Sequence, residues 1–168
     1  MAKLILIFGV SRSGKSSLAK QLSKDLSNCF LIHLDEWIVP EHQLPKIKDR
    51  IDWEKPETID WLRINDLIMQ GIKSHNYVII EGIFALSIRQ LAEKADFTIQ
   101  LELEKEEFFT RRNQETRWGK EPKWFIEHVW QSHLKYSNPH NIKPSITIKG
   151  IYTHQYTDLT RKIGSAGQ

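Results

Sequence analysis

The sequence predicts an α/β protein of three layers, a parallel β-sheet covered by helices on both faces. Three observations predict it. Short apolar runs, Lys3 to Phe8, Phe30 to Leu34 and Tyr77 to Ile80, recur between stretches of helical spacing. The runs are nearly continuous rather than alternating, as strands buried on both faces require. They also end in residues able to carry chemistry, a glycine-bearing loop, Asp35-Glu36 and Glu81-Gly82, at the strand ends where open α/β sheets bind ligands. A length of 168 residues suits one domain, taken as 1–168, and is too short for two ordinary ones.

The elements follow in order. Lys3 to Phe8 is a strand, and Ser16 to Leu26 a helix with Leu18, Ala19, Leu22 and Leu26 on one face. Phe30 to Leu34 is the second strand. The polar, proline-bearing stretch Pro40 to Pro56 reads as a mobile or substrate-facing insertion, followed by a helix through Ile59, Leu62, Leu67 and Ile68 that stops near Gly71. Tyr77 to Ile80 is the third strand, Leu86 to Ala95 a helix, Phe97 to Leu103 the fourth strand, and Glu104 to about Arg117 another helix. After Gly119 and Pro122 comes an aromatic-rich helix, Trp124 to Tyr136, ended by Asn138-Pro139. Ser145 to Lys149 is the last strand.

Composition narrows the class. A hydrophobic fraction of 40% and a charged fraction of 27% exclude disorder and fibrous architecture. A net charge of +3 is too small to argue for nucleic acid, and no concentrated basic face is present. The single cysteine, Cys29, rules out an internal disulfide and makes the cytoplasm the expected compartment. No stretch approaches the roughly 20 apolar residues that span a bilayer, so no membrane association is expected.

The chemistry begins at Gly9-Val10-Ser11-Arg12-Ser13-Gly14-Lys15-Ser16, which satisfies G-x-x-x-x-G-K-[ST] without deviation between a strand and a helix. Glycines let the backbone curl so that successive N–H groups face phosphate oxygens, and the helix start adds its positive dipole end. This is a P-loop. Lys15 is then expected to reach the β- and γ-phosphates of ATP, with the Ser16 hydroxyl on Mg²⁺.

Phosphoryl transfer also asks for carboxylates at neighbouring strand ends. Asp35 can accept the proton of an attacking hydroxyl; a capping or solvated acid is the alternative. Glu81, at the tip of Val78-Ile79-Ile80, can serve Mg²⁺ through water or assist Asp35, unless it caps the following helix. Arg111, Arg112 and Arg117 form a basic lid over about residues 111–122. Adjacent helical residues point about 100° apart, so Arg111 and Arg112 are not expected to address the same oxygen. Trp37 and Trp53 offer planes for a base, with core packing as the equal alternative. His128 and His133 are five apart and make no zinc pair, and no metal beyond Mg²⁺ is assigned.

These residues together resemble the uridine kinase and nicotinamide riboside kinase family of small P-loop kinases. Gly9 to Ser17 is similar to its phosphate loop, Leu34-Asp35-Glu36-Trp37 with Pro40-Glu41 to a strand ending in paired acids, and Ile79-Ile80-Glu81-Gly82-Ile83 to a buried strand bearing an acid. Arg111-Arg112 with Thr116-Arg117 resembles the family's lid, and His128-Val129-Trp130 with Leu134-Lys135-Tyr136 a signature of the riboside kinases. The resemblance implies a P-loop NTPase fold of the nucleoside-monophosphate-kinase kind. Gly9, Ser11, Arg12, Ser13, Gly14, Lys15, Ser16, Ser17 and Arg111 would bind ATP. Asp35, Lys15, Glu81, Arg112 and Arg117 would act in catalysis, and Ser16 and Glu81 would serve Mg²⁺. Asp35, Trp37, Trp53 and Glu54 would face the acceptor; Glu54 stands where the family has an aspartate gripping ribose hydroxyls.

The expected function is ATP-dependent phosphorylation of a hydroxyl, the 5′-hydroxyl of a nucleoside-like small molecule such as nicotinamide riboside or uridine. Another metabolite or an antibiotic as acceptor, and a regulatory P-loop ATPase, are the alternatives. A homodimer is allowed.

Overall fold

The computed structural model describes residues 2–115, 119–149 and 153–165. Along the chain run β1 (Lys3–Gly9), α1 (Lys15–Asp25), β2 (Cys29–His33), two single 3₁₀ turns (Leu34–Glu36 and Glu41–Gln43), β3 (Lys46–Ile47), β4 (Arg50–Ile51) and a third 3₁₀ turn (Pro56–Thr58). Then come α2 (Trp61–Ser74), β5 (Tyr77–Glu81), α3 (Arg89–Lys94), β6 (Phe97–Glu102), α4 (Lys105–Asn113), α5 (Lys123–Tyr136), β7 (Ile146–Lys149) and α6 (Thr153–Ser165). Five strands form one parallel sheet in the order β2-β5-β1-β6-β7, while β3 and β4 pair as a separate antiparallel hairpin.

Burial explains the layers. Along β1 successive side chains alternate between faces. Leu4, Leu6 and Phe8 join Ile64, Leu67 and Ile68 of α2 on one side. Ile5 and Ile7 join Ala19 and Leu22 of α1 and Leu159 and Ile163 of α6 on the other. A third cluster, Val10, Leu103, Phe108, Phe125, Ile126 and Val129, fills the space between the loop after β1 and helices α4 and α5. The chain leaves β1 in one direction to reach β2 and β5, and lies on the opposite side for β6, so the crevice opens at the carboxyl end of β1.

Several local expectations are corrected. The stretch from 40 to 56, read as an insertion, holds a 3₁₀ turn and the β3–β4 hairpin. Helix α2 starts at Trp61, where the Asp60 carboxylate accepts from the Arg63 backbone N–H at 3.0 Å, and Leu62 is 85% exposed rather than core-facing. Gly71 lies inside α2 and does not stop it; a Cβ there would stand 2.7 Å from the Phe30 ring, so the glycine permits close approach of helix and β2. The helices expected over 86–95 and 104–117 are shorter, and α6 carries no counterpart in the sequence reading. No helix among the described residues is long and apolar enough to cross a membrane.

Candidate active site

The loop between β1 and α1 is shaped by positive dihedrals at Gly9 (φ 148°), Arg12 (φ 70°) and Gly14 (φ 95°). At Gly9 a Cβ would stand 2.3 Å from the Leu101 carbonyl oxygen of β6, so only glycine fits there. Arg12 holds a left-handed conformation that costs a non-glycine residue about 1 kcal/mol or more. Its surroundings hold it in place: its carbonyl accepts from Arg111 Nη1 at 2.9 Å, and its guanidinium pairs with Glu115. No side chain caps the start of α1, whose N-cap is Gly14, and the buried Ser13 hydroxyl has no hydrogen-bond partner. Uncapped N–H groups at a helix start together with an orphaned hydroxyl suit an anion. A polyphosphate fits this loop.

Lys15 is buried at the first position of α1, its Nζ donating to the Val10 carbonyl at 3.0 Å. Burial lowers its pKa, and the carboxylates of Glu81, Asp35 and Glu54 oppose that. Next to it, Ser16 Oγ donates to Glu81 Oε1 at 2.8 Å, and His33 Nδ1 lies 2.6 Å from the same oxygen. The sheet causes this last contact, because His33 and Glu81 are register partners in β2 and β5. Glu81 Oε2 is buried without a partner. The Ser16 hydroxyl and an unengaged carboxylate oxygen are hard oxygen donors of the type Mg²⁺ takes, and the ion keeps most of its waters and phosphate ligands.

Asp35 is not at the tip of β2, which ends at His33, but two residues beyond, in the 3₁₀ turn that Leu34 opens. Leu34 is fully buried, packed so closely on the end of β5 that a Cβ on Gly82 would lie 2.8 Å from it. That packing fixes the turn and sets Asp35 beside Glu81 and Lys15. Asp35 is exposed as a residue, yet its carboxyl is partly enclosed, and this desolvation is the first cause of its raised pKa, the Glu81 charge the second, with Lys15 pulling the other way.

Both α4 arginines reach the loop, at different points. Arg111 bonds the Arg12 carbonyl and also pairs with Glu107. Arg112 donates from Nη1 to Ser11 Oγ at 2.9 Å and grips Glu121 through Nε at 2.6 Å and Nη2 at 2.9 Å. The 100° between them separates their targets without making either one idle. Arg117, with Thr116, lies outside the described residues. Trp37 packs against the first core cluster, with the Arg63 guanidinium 5.2 Å from its ring, whereas Trp53 is 42% exposed.

Glu54 is only 7% exposed, and burial raises its carboxyl to about 7, against the pull of Arg112 and Lys15. Sequence reasoning missed its neighbour Asp52, which is 1% exposed and bonded from Oδ1 to His128 Nε2 at 2.8 Å. It also missed His33 and Glu121. An Asp-x-Glu pattern following the hairpin was the available signal. Beyond Asp52 a cleft of about 410 Å³ opens between the hairpin and α5. His133, farther along α5, is held neutral: burial lowers it to about 4, and Lys15 adds to this.

Comparison with known proteins agrees with this fold. Residues 5–127 match the AAA domain family. Nicotinamide riboside kinase 2 of Mus musculus is 28% identical over 156 residues, covering 81% of this chain and 80% of its own. Nicotinamide riboside kinase 1 of Homo sapiens is 29% identical over 150 residues, covering 79% and 75%. Among solved structures, shikimate kinase from Bacteroides thetaiotaomicron superposes with a TM-score of 0.61 at 17% identity over 98% of this chain and 97% of its own. Thymidylate kinase from Candida albicans gives 0.61 at 22% over 98% and 92%. These two share the fold of this chain. The chain is related to P-loop small-molecule kinases, and its match over most of its length places it in the AAA domain family.

Proposed function

We propose that this chain is an ATP-dependent phosphotransferase that phosphorylates a hydroxyl, the 5′-hydroxyl of a nucleoside-like small molecule. The observation that carries the proposal is the juxtaposition of buried Lys15, the Ser16–Glu81 hydrogen bond and Asp35 at one strand-loop-helix junction. A loop that only bound nucleotide would not need an acid in the position of Asp35. The relatedness to nicotinamide riboside kinases supports a nucleoside-like acceptor.

Bound Mg·ATP supplies an activated γ-phosphorus, which bonds to the acceptor oxygen as its bond to the β,γ-bridging oxygen breaks and the electron pair leaves with ADP. The chain does the positioning. Backbone amides from Ser11 to Ser17 would hold the phosphates, with Ser13 Oγ finding its partner there. Lys15 would span the β- and γ-phosphates. Ser16 and Glu81 would hold Mg²⁺, Glu81 partly through water and by orienting Ser16. Asp35 takes the proton of the acceptor hydroxyl, and its raised pKa makes it a stronger base than an ordinary aspartate. Arg111 and Arg112 would stabilise charge on the transferred group, Arg112 exchanging Glu121 for phosphate oxygens, with Arg117 a further candidate in the lid. Glu54, the exposed plane of Trp53 and Trp37 would face the acceptor.

The test is ADP release against a panel of nucleosides, nicotinamide riboside included, for wild type and Asp35→Asn. Turnover should depend on the acceptor and fall at least about 100-fold in the variant. Release that no acceptor raises would refute the proposal.

A further inference from the structure

We propose that the acceptor carries an anionic group, a carboxylate or a phosphate, held by Lys46 and Lys135 in the cleft between the β3–β4 hairpin and α5. The inference rests on the kinase reading above and specifies its substrate class. The ionisable groups on the cleft wall are Lys46, Lys55, Lys135, Asp52, His128 and the Tyr136 phenol, which is hydrogen-bonded to Lys135. Asp52 is already engaged: Oδ1 contacts His128 Nε2 at 2.8 Å, and Lys55 Nζ stands 3.7 Å from Oδ2. That leaves two ammonium groups. Among the described residues neither Lys46 nor Lys135 has a carboxylate within ion-pair distance; Lys135 lies against Tyr136, 4.7 Å from the ring centroid, and the charge of Glu57 acts on it only weakly.

Uncompensated like charges on the walls of a concave site raise the local concentration of anions and repel cations. The walls are fixed to one another, because Lys48 sits 3.8 Å over the Trp124 ring and Arg50 5.3 Å from that of Phe125, both rings on α5. Asp52 adds the second half of the recognition. Its Oδ2 is buried without a hydrogen bond, a state that costs free energy until a donor arrives, and a ligand hydroxyl is such a donor. Asp52 lines the cleft and accepts from the Glu54 N–H at 3.3 Å, and Glu54 feels the charges of Arg112 and Lys15, so this wall of the cleft is the one nearer the phosphate loop. A polyhydroxylated acid satisfies both the lysines and Asp52.

The experiment measures kcat/KM by ADP release with matched acceptors that differ in one anionic group: glucose against gluconate and glucose 6-phosphate, and uridine against orotidine. The nucleoside panel accompanies them. Wild type, the double variant Lys46→Gln with Lys135→Gln, and the double arginine variant are compared. The anionic member of a pair should be preferred about tenfold, two exposed ion pairs contributing modestly each. The preference should shrink to about twofold or less in the glutamine variant and persist in the arginine variant. Preference confined to gluconate and orotidine identifies a carboxylate, and preference confined to glucose 6-phosphate a phosphate. Neutral acceptors preferred in wild type, or an anionic preference that survives the glutamine changes, overturns the inference and leaves the kinase reading standing. No acceptor raising ADP release overturns both.

Discussion

Glu54→Gln should make the protein more stable at pH 8 and leave its stability at pH 4 nearly unchanged. In the fold the Glu54 carboxyl titrates at about 7, against an ordinary 4.5, because it is buried and only partly offset by Arg112. The sign follows from proton binding. Between the two values the folded chain holds a proton that the unfolded chain has released, so stability falls as pH rises through this window. Below 4.5 both states are protonated and the full stability is present. Above 7 both have lost the proton, and the folded state carries a buried charge at a cost of about 3 kcal/mol. Glutamine keeps the shape and removes the charge. Urea denaturation followed by tryptophan fluorescence at both pH values measures the difference; with a slope of roughly 2 kcal/mol per molar, the midpoint at pH 8 should rise by about 1.5 M. A glutamine variant that loses stability equally at both pH values would refute the assignment of a destabilising buried carboxylate.

Two further outcomes are expected. Arg112→Ala should lower kcat at saturating ATP at least about 100-fold, and Arg112→Lys should recover little of it, since a lysine cannot reproduce the fork that grips Glu121 and reaches Ser11; an unchanged kcat with only a lower Tm would mark a purely structural residue. In the pH profile of kcat/KM, activity should rise through an acid limb above the ordinary aspartate range, because Asp35 must be ionised and its pKa is raised. Glu81→Gln should move that limb to lower pH by removing the neighbouring charge, and a limb that stays in place would show that another group controls it.

Much of the framework was legible in the residues, and for stated reasons. Continuous apolar runs are diagnostic of strands covered on both faces, and the loop from Gly9 to Ser16 carries its geometry in its glycines. Long-range consequences were not legible. Gly71 reads as a stop signal in isolation and becomes a contact point only once β2 is known to lie 2.7 Å beneath its missing Cβ. Leu62 fits a helical period that starts two residues too early; the Asp60 cap sets the true phase and turns it to solvent. The Asp52–His128 pair joins residues 76 apart, which no spacing rule connects. The His33–Glu81 contact depends on strand register, and the Glu121 grip on Arg112 joins residues nine apart that no helical spacing pairs. Burial of Glu54 was equally invisible, since local sequence marks it only as a polar residue after a hairpin.

The most direct measurement follows the γ-phosphate of ³²P-labelled ATP in the presence of Mg²⁺ and the acceptor panel. Label should appear in an organic phosphate, one per ADP formed, and should be lost in Asp35→Asn. Label recovered entirely as inorganic phosphate, at a rate no acceptor changes, would contradict transfer to a hydroxyl and leave a nucleotide-hydrolysing P-loop protein in its place.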